Sequence, residues 1–404
     1  MTKLSATDFR LLMSASAAHV VGIVMSILSP FIIGALSRSV DDGGFGVPEG
    51  TSGTLITVEL LAIAAAAYLV IPWLNKASLR KLAFLGVSIC LLANMYSLFV
   101  VPGQVVLMGI SRIVSGLGAG IVYSVGSAAA SRTHDPDKIF AFIVVIGAVV
   151  SSAGLLLIPM ATAGFGYRGG FTFIVLNILV VAPFLALLPS SVKTRAAVEK
   201  SDRRTAPPPW TADRKAVVVL VIAMLILNVG DGAIFYFSEG IGHSIGMSSE
   251  QVGFALTVAS VAGLMGGLVA ASLNTRYGRT LPLTIALVVR AGASIAIVSQ
   301  PAPASYWVLQ CLLGFTVYFV IPYIFGLCAL VDRAGRVAAM AGGTVLIGSG
   351  ISASLGGHII ENFSYFHLGL FATLVVIVNL IILIPVSLKY DRAQHSVKLA
   401  NLGT

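Results

Sequence analysis

Charge is scarce in this chain. Only 10% of its 404 residues are Asp, Glu, Lys or Arg, whereas soluble domains carry about a quarter. Too few charged side chains exist to cover a water-exposed surface, which excludes an ordinary soluble globular protein. Acidic residues are the scarcer sign, 16 against 25 Lys and Arg, for a formal net charge of +9. The basic excess does not read as a nucleic-acid patch, because it lies in short gaps between apolar runs, as cytoplasmic membrane loops do. No nucleic-acid partner is expected. Cysteine is also rare: Cys90, Cys311 and Cys328 each sit inside an apolar run without metal-ligand spacing. Neither a disulfide framework nor a metal site is expected. Enzyme signatures are missing too. The chain holds no Gly-Lys-Ser/Thr phosphate loop, no Gly-x-Ser-x-Gly elbow and no His-Glu-x-x-His motif. The polar segments are too short to fold as a catalytic domain. No enzyme activity and no cofactor are expected, and energy would come from an ion or solute gradient unless the protein is a facilitator.

What the chain has in abundance is apolar length. Hydrophobic residues make up 57% of it, and the mean hydropathy is +0.97. A bilayer core about 30 Å thick needs about 20 apolar residues in helix. Runs of that kind fall at roughly 11–37, 54–74, 82–101, 104–130, 139–162 and 170–190, and again at roughly 216–238, 251–273, 281–299, 304–330, 338–360 and 365–388. The fold class expected is an all-α membrane protein of about 12 spans. Between the two sets lies the one long charged interruption, Lys193 to Lys215, with Arg203, Arg204 and the triple proline Pro207–Pro209. The expected organisation is a six-helix bundle over 1–192, a central loop over 193–215, and a second bundle with a short tail over 216–404. The first run is too long for a cleavable signal peptide and lacks a small-residue cleavage site.

Basic residues crowd into alternate loops: Lys76, Arg80 and Lys81; Arg132 and Lys138; the central loop; Arg276 and Arg279; Arg333 and Arg336; and the tail. The other loops carry Asp41, Asp42 and Glu49, then Glu239, Glu250 and Glu361, with Arg168 as an exception. That bias puts the basic loops and both termini in the cytoplasm, in a multi-pass protein of the plasma (inner) membrane. The expected partners are the lipid bilayer, a small-molecule substrate and protons, with the chain working as a monomer.

Punctuation repeats between the halves. Leu74-Asn75-Lys76 through Lys81 follows the second run, and Leu273-Asn274-Thr275-Arg276-Tyr277-Gly278-Arg279-Thr280 follows the eighth. Ser131-Arg132 and Asp332-Arg333 end the fourth and tenth. A duplicated six-helix unit of this kind builds transporters. Three further stretches are specific: Arg112 followed by Gly116, Gly118 and Gly120; Arg276-Tyr277-Gly278-Arg279; and Gly166-Tyr167-Arg168-Gly169-Gly170-Phe171. Together with the hydropathy pattern, they make the chain similar over its full length to the major facilitator superfamily of secondary transporters. The resemblance implies two bundles meeting along a central cavity lined by helices one, four, seven and ten. It also implies a cytoplasmic gate at Arg80, Arg276, Gly278 and Arg279. Thr275 stands where the family's loop signature carries an aspartate, so the acidic side of that gate is in question. The Gly-Pro spacing of drug/proton antiporters is missing from the fifth helix, which holds Gly147, Gly154 and Pro159.

Charges inside spans are costly, so they face a cavity or a partner. Arg112 reads either as a residue that senses substrate and proton or as a static ion pair with Glu59. Asp231, between Gly230 and Gly232 with Asn228 one turn earlier, reads as a proton carrier on a loosened helix or as a polar spot near the outer rim. His19 suits a proton relay or a neutral hydrogen-bonding role beside Ser14 and Ser16. Arg290 either snorkels to the cytoplasm or plays a structural role, the favoured reading, or pairs inward and adds a positive charge to the cavity. Glu239 reads as a solvated loop residue. Tyr306 and Trp307 read as interfacial anchors. On the helices that the resemblance assigns to the cavity, Tyr123 and Tyr318 are the preferred substrate contacts, with Phe235, Tyr236 and Tyr323 as further candidates. Asp231 and Arg112 are expected to belong to one coupled network. Proton-coupled uptake of a small organic solute, including an anion, is the preferred function. Proton-coupled efflux of a drug or metabolite is the alternative, and a non-transporting sensor is disfavoured because no signalling domain is present.

Overall fold

The computed structural model describes residues 6–74, 76–131, 133, 136–188, 213–300, 302–332 and 336–402. Asn75, Arg132, Arg333 and the central loop up to residue 212 lie outside them. Among the described residues there is no β-strand. A chain this apolar must satisfy its backbone within each segment when no water is available, and helix does so. The chain divides into two compact units, Met1–Ala206 and Pro207–Thr404.

In the first unit the helices are α1 (Ala6–Ser37), α2 (Glu49–Leu69), α3 (Leu79–Ser97) and α4 (Val105–Ala130). The run Pro136–Val181 then breaks at Gly166 into α5 (136–165) and α6 (167–181). Gly166 has φ 57° and ψ −143°, a backbone that side chains disfavour, and a Cβ there would run into the backbone of Gly43. The Tyr167 N–H donates to the Gly43 carbonyl at 3.1 Å. The Tyr167 hydroxyl donates to the Val100 carbonyl at 2.8 Å. One short motif thus ties the α5–α6 break to the loops after α1 and α3.

In the second unit the helices are α7 (Arg214–Phe235), α8 (Ser249–Leu273), α9 (Thr280–Ala296), α10 (Pro303–Val331), α11 (Arg336–Asn362) and α12 (Tyr365–Leu402). A short helix, Ser238–Ser244, follows α7. Ten helical segments are long and apolar enough to cross a membrane. One of the ten holds both α5 and α6, and α9 is a shorter apolar helix, so the long apolar helices among the described residues come to twelve, besides the short Ser238–Ser244. The protein is an all-α, multi-pass membrane protein.

Both units pack by the same pairings. In the first, α2 packs on α4, α3 on α4, α1 on α5 and α1 on α4; in the second, α8 packs on α10, α9 on α10, α7 on α11 and α7 on α10. The repeated punctuation in the sequence is therefore matched by repeated packing. Small residues set the close approaches. A Cβ on Gly116 would stand 2.8 Å from the Ala62 Cβ, and one on Gly120 would stand 2.8 Å from the Ala66 Cβ. In the second unit Gly266 and Gly314 give α8 and α10 the same proximity, a Cβ on either lying 3.0–3.2 Å from a backbone carbon of the other helix. Large apolar side chains such as Leu92, Val106, Leu268 and Ile381 point outward, where lipid covers them.

The start of the third helix of each unit is tied to the sixth helix or to the segment that follows it. In the first unit Arg80 Nε donates to the Leu188 carbonyl at 2.8 Å. In the second, the Asp391 carboxylate on α12 accepts from the Arg279 and Thr280 N–H groups at 2.9 Å and from the Thr280 hydroxyl at 2.7 Å. A remote acid thereby caps the N-terminus of α9, where unpaired N–H groups and the helix dipole favour an anion.

Candidate functional site

Among the described residues, each unit contains one arginine drawn completely into protein. On α4, Arg112, Gly116 and Gly120 recur at intervals of four, so they share one helix face. The two glycines bring that face against α2, and the arginine meets Glu59. Arg112 Nη1 lies 3.2 Å from Glu59 Oε2, with the two side chains 0% and 1% exposed. The same nitrogen donates to Asn94 Oδ1 at 3.1 Å, and Nη2 donates to Ser97 Oγ at 2.5 Å. Asn94 is held in turn by its Nδ2 donating to Ser115 Oγ at 2.9 Å. The guanidinium carbon sits 4.4 Å from the centre of the Phe171 ring. Apart from Nε, which is buried without an acceptor among the described residues, the guanidinium is paired, and neither member of the pair is exposed. Of the two readings of Arg112, the geometry matches the ion pair with Glu59.

The second unit builds its pair from different helices. Arg290 on α9 is 1% exposed, and its Nη2 is hydrogen-bonded to Asp231 Oδ1 on α7, whose side chain is 31% exposed. Arg290 Nη1 donates to the Leu313 carbonyl at 2.9 Å and to Thr316 Oγ1 at 3.3 Å, both on α10. Its Nε is buried without an acceptor among the described residues. The snorkelling expected for Arg290 is corrected: α9 turns this residue into its own unit, where a carboxylate and a carbonyl replace water. Arg112 and Asp231, expected to belong to one network, each have an ion partner inside their own unit.

The glycines beside Asp231 act as spacers. Gly230 faces Val375 and Val376 of α12, and Gly232 faces Ser352 of α11. Asn228 is 7% exposed and its Nδ2 donates to the Met224 carbonyl at 2.8 Å, so it does not reach the ion pair. Tyr318 on α10 is 48% exposed and lies within electrostatic reach of Asp231.

Among the aromatic candidates, Tyr123 pairs with His19, their ring centroids 5.6 Å apart. Gly147 of α5 leaves room for that imidazole, since a Cβ there would stand 3.1 Å from His19 Cδ2. Tyr236 is buried against Phe235, their centroids 5.6 Å apart. Tyr323 is buried beside Phe319. Two outer-end expectations are corrected. Tyr306 is fully buried, and its hydroxyl donates to the Ser238 carbonyl at 2.8 Å while accepting from Gln310 at 2.9 Å. It is an internal strut, whereas Trp307 lies against Phe254, the ring centroids 5.0 Å apart and the planes tilted by 35°. Glu239 is 1% exposed and not a solvated loop residue. The short helix Ser238–Ser244 folds it inward, where it accepts from Ser249 Oγ at 2.5 Å and faces His243 at 3.7 Å.

At the gate positions, Arg276 is exposed and Gly278 takes φ 70°. A Cβ on Gly278 would stand 2.9 Å from Asp391 Oδ2, and the Arg279 side chain lies against Gly326 of α10. The acid that the loop lacks at Thr275 is thus supplied from α12. Its signal in the sequence was slight: one aspartate in a basic tail, more than a hundred positions away. Asn94, Ser97 and Thr316 were also missed, since single polar residues on apolar helices carry no spacing pattern.

Comparison with known proteins agrees with the fold and adds the family. The family model described as Major Facilitator Superfamily matches residues 12–331 and 219–402. The Escherichia coli (strain K12) protein named "Putative transporter AraJ" is 24% identical over 265 residues, 64% of this chain and 63% of that protein. This match therefore spans less than two thirds of the relative. Among solved structures, the nucleoside transporter NupG superposes with a TM-score of 0.75 at 10% identity, covering 94% of this chain and 99% of that one. A peptide transporter POT in complex with sulfate superposes with a TM-score of 0.66 at 14% identity, covering 94% and 95%. With two matched six-helix units and a family model spanning most of its length, the chain belongs to the Major Facilitator Superfamily.

Proposed function

We propose that this transporter carries a small organic solute by alternating access, with proton-coupled uptake as its direction. The observation that carries the reading is the asymmetry of the two buried ion pairs. The pair of Arg112 and Glu59 is closed at both ends, whereas Asp231 keeps an exposed face while its partner Arg290 is sealed. An intramembrane acid that can be reached is the place for a proton, and an acid that cannot be reached is a brace. His19, beside Tyr123, is the second candidate for proton passage. In this reading Arg80, Arg276, Gly278 and Arg279 lie on the cytoplasmic side and hold one gate conformation. The basic loops and both termini face the cytoplasm of the plasma (inner) membrane, and the chain works as a monomer without cofactor or metal.

The test is paired uptake and counterflow in proteoliposomes with an imposed pH gradient. Asp231→Asn should lose proton-driven accumulation and keep solute exchange between the two faces. Accumulation against a gradient by that variant would remove Asp231 as the carrier and leave His19 and Glu59 to be tested. Accumulation driven only by an inward-to-outward proton exchange would favour the efflux alternative. Orientation is read separately: modification of an Arg204→Cys variant by an impermeant thiol reagent in intact cells would reverse it.

A further inference from the structure

The sixth helix of the first unit shows apolar side chains such as Leu176, Leu179 and Val180 to its surroundings, where lipid covers them. Asn177 stands among them and turns the other way. It lines a cavity of about 10 Å³ between α1, α5 and α6, and its Oδ1 is buried with no hydrogen-bond partner among the described residues. An acceptor left unmade costs the full desolvation of that group, and inside a bilayer no bulk water reaches it. The second polar side chain on the cavity is Ser151 of α5. It does not bond to Asn177 directly. Val20, Val24 and Leu28 of α1 form the apolar wall. Gly154, one turn after Ser151, admits Leu28 to that wall, since a Cβ on it would stand 3.1 Å from Leu28 Cδ2.

We propose that this cavity is the binding site of one ordered water molecule, which joins α5 to α6 through Ser151 and Asn177. Volume, charge and polarity all select water. The volume is about that of one water molecule, which needs about two to four polar partners to stay, and Ser151 and Asn177 supply two. No charged side chain lines the cavity, so a metal ion or an ammonium group would stay uncompensated in low dielectric. An apolar guest would leave Asn177 Oδ1 as costly as before. Water donates one hydrogen to Oδ1 and makes its second bond with the Ser151 hydroxyl, which can donate or accept. It serves the amide in either orientation, as donor to the oxygen or acceptor from the nitrogen. A bridge of this kind is nearly as favourable as a direct hydrogen bond. It gives α6 a polar joint to α5 beside the buried apolar contacts of Phe171, Ile174 and Ile178. The joint belongs to the packing of the first unit and does not depend on the transport reading.

The experiment is an experimental structure of the purified full chain at a resolution that shows ordered water, in sodium and in choline buffers, together with melting temperatures of variants. Wild type should show one density peak within hydrogen-bond distance of both Asn177 Oδ1 and Ser151 Oγ, the same in either buffer. Asn177→Leu should lose the peak. Because the two side chains meet only through the water, their effects should not add. Ser151→Ala should lower the melting temperature of wild type by a few degrees, and that of Asn177→Leu by less than about one degree. Ser151→Ala removes one oxygen and little bulk, so it tests the bridge even where Asn177→Leu does not fold: its peak should weaken or vanish. An absent peak in wild type, a peak in sodium alone, a direct bond between Ser151 and Asn177, a peak unchanged by Ser151→Ala, or additive losses in the double variant would each overturn the water site.

Discussion

Arg290 is buried to within 1% of its surface, yet the carboxylate that neutralises it, Asp231, remains 31% exposed. The other buried pair, Arg112 and Glu59, has no such opening. Two ion pairs with the same chemistry are thus offered different work by their surroundings. A closed pair can only hold helices together, while a pair open on its acidic side can exchange its partner.

Removing one member of the closed pair should be severe. Glu59→Gln leaves the Arg112 guanidinium uncompensated among α2, α3 and α4, at a cost of about 3–5 kcal/mol. Replacing both residues by apolar ones of similar volume, Glu59→Leu with Arg112→Met, should cost much less. Thermal unfolding in detergent of the single and double variants checks this, and additive losses would contradict it.

The glycine stripe on α4 should tolerate no bulk. Gly116→Val would place atoms inside the backbone of α2 at Glu59, and overpacking of this kind costs about 1–3 kcal/mol or more. The expected outcome is a large loss of folded protein on size-exclusion chromatography. Gly292 on α9 has nothing among the described residues within 4 Å of where a Cβ would stand, and should accept Ala without such a loss.

Asp391→Ala should free the N-terminus of α9. The variant loses the acceptor for two backbone N–H groups and one hydroxyl, and caps of this type contribute about 0.5–2 kcal/mol. Because α9 carries Arg290, exchange rates should fall together with stability, and Asp391→Asn should lose less of both. Hydrogen exchange at the start of α9 reports the cap directly; unchanged protection there would dismiss it.

The contact of Asp213 with Lys389 is exposed and at the start of α7. A hydrogen bond from the Lys389 ammonium, 2.7 Å away, holds the Asp213 carboxyl below its usual range. A lowered folded value means that the stabilisation is present above the unfolded pKa of about 3.9 and fades as pH falls through the folded one. The difference in melting temperature between wild type and Asp213→Asn should therefore be small and constant from pH 8 to 5, shrinking only below about pH 4. A difference that grows on acidification would reverse the sign argued here.

Much of this protein was legible in one dimension, for a physical reason. A bilayer demands long apolar helices and puts basic residues in short loops, so length, hydropathy and loop charge were enough for twelve spans in two sets. The spacing of Arg112, Gly116 and Gly120 placed an arginine on the face that meets α2, and Glu59 could be named as its partner. Elsewhere the pattern was silent. Whether Arg290 turned outward or inward depended on which helix lay across from it, and Asp231 stands 59 positions away. Glu239 and Tyr306 read as outer-end residues because sequence position records depth poorly where a short helix folds back. Asp391 took over the α9 cap because α12 passes beside it. Periodicity tells a helix which face is apolar, but a lone charge has no period. Its partner is decided only when the helices pack, by which opposite charge the tertiary structure brings within hydrogen-bond reach and how much of it is left open.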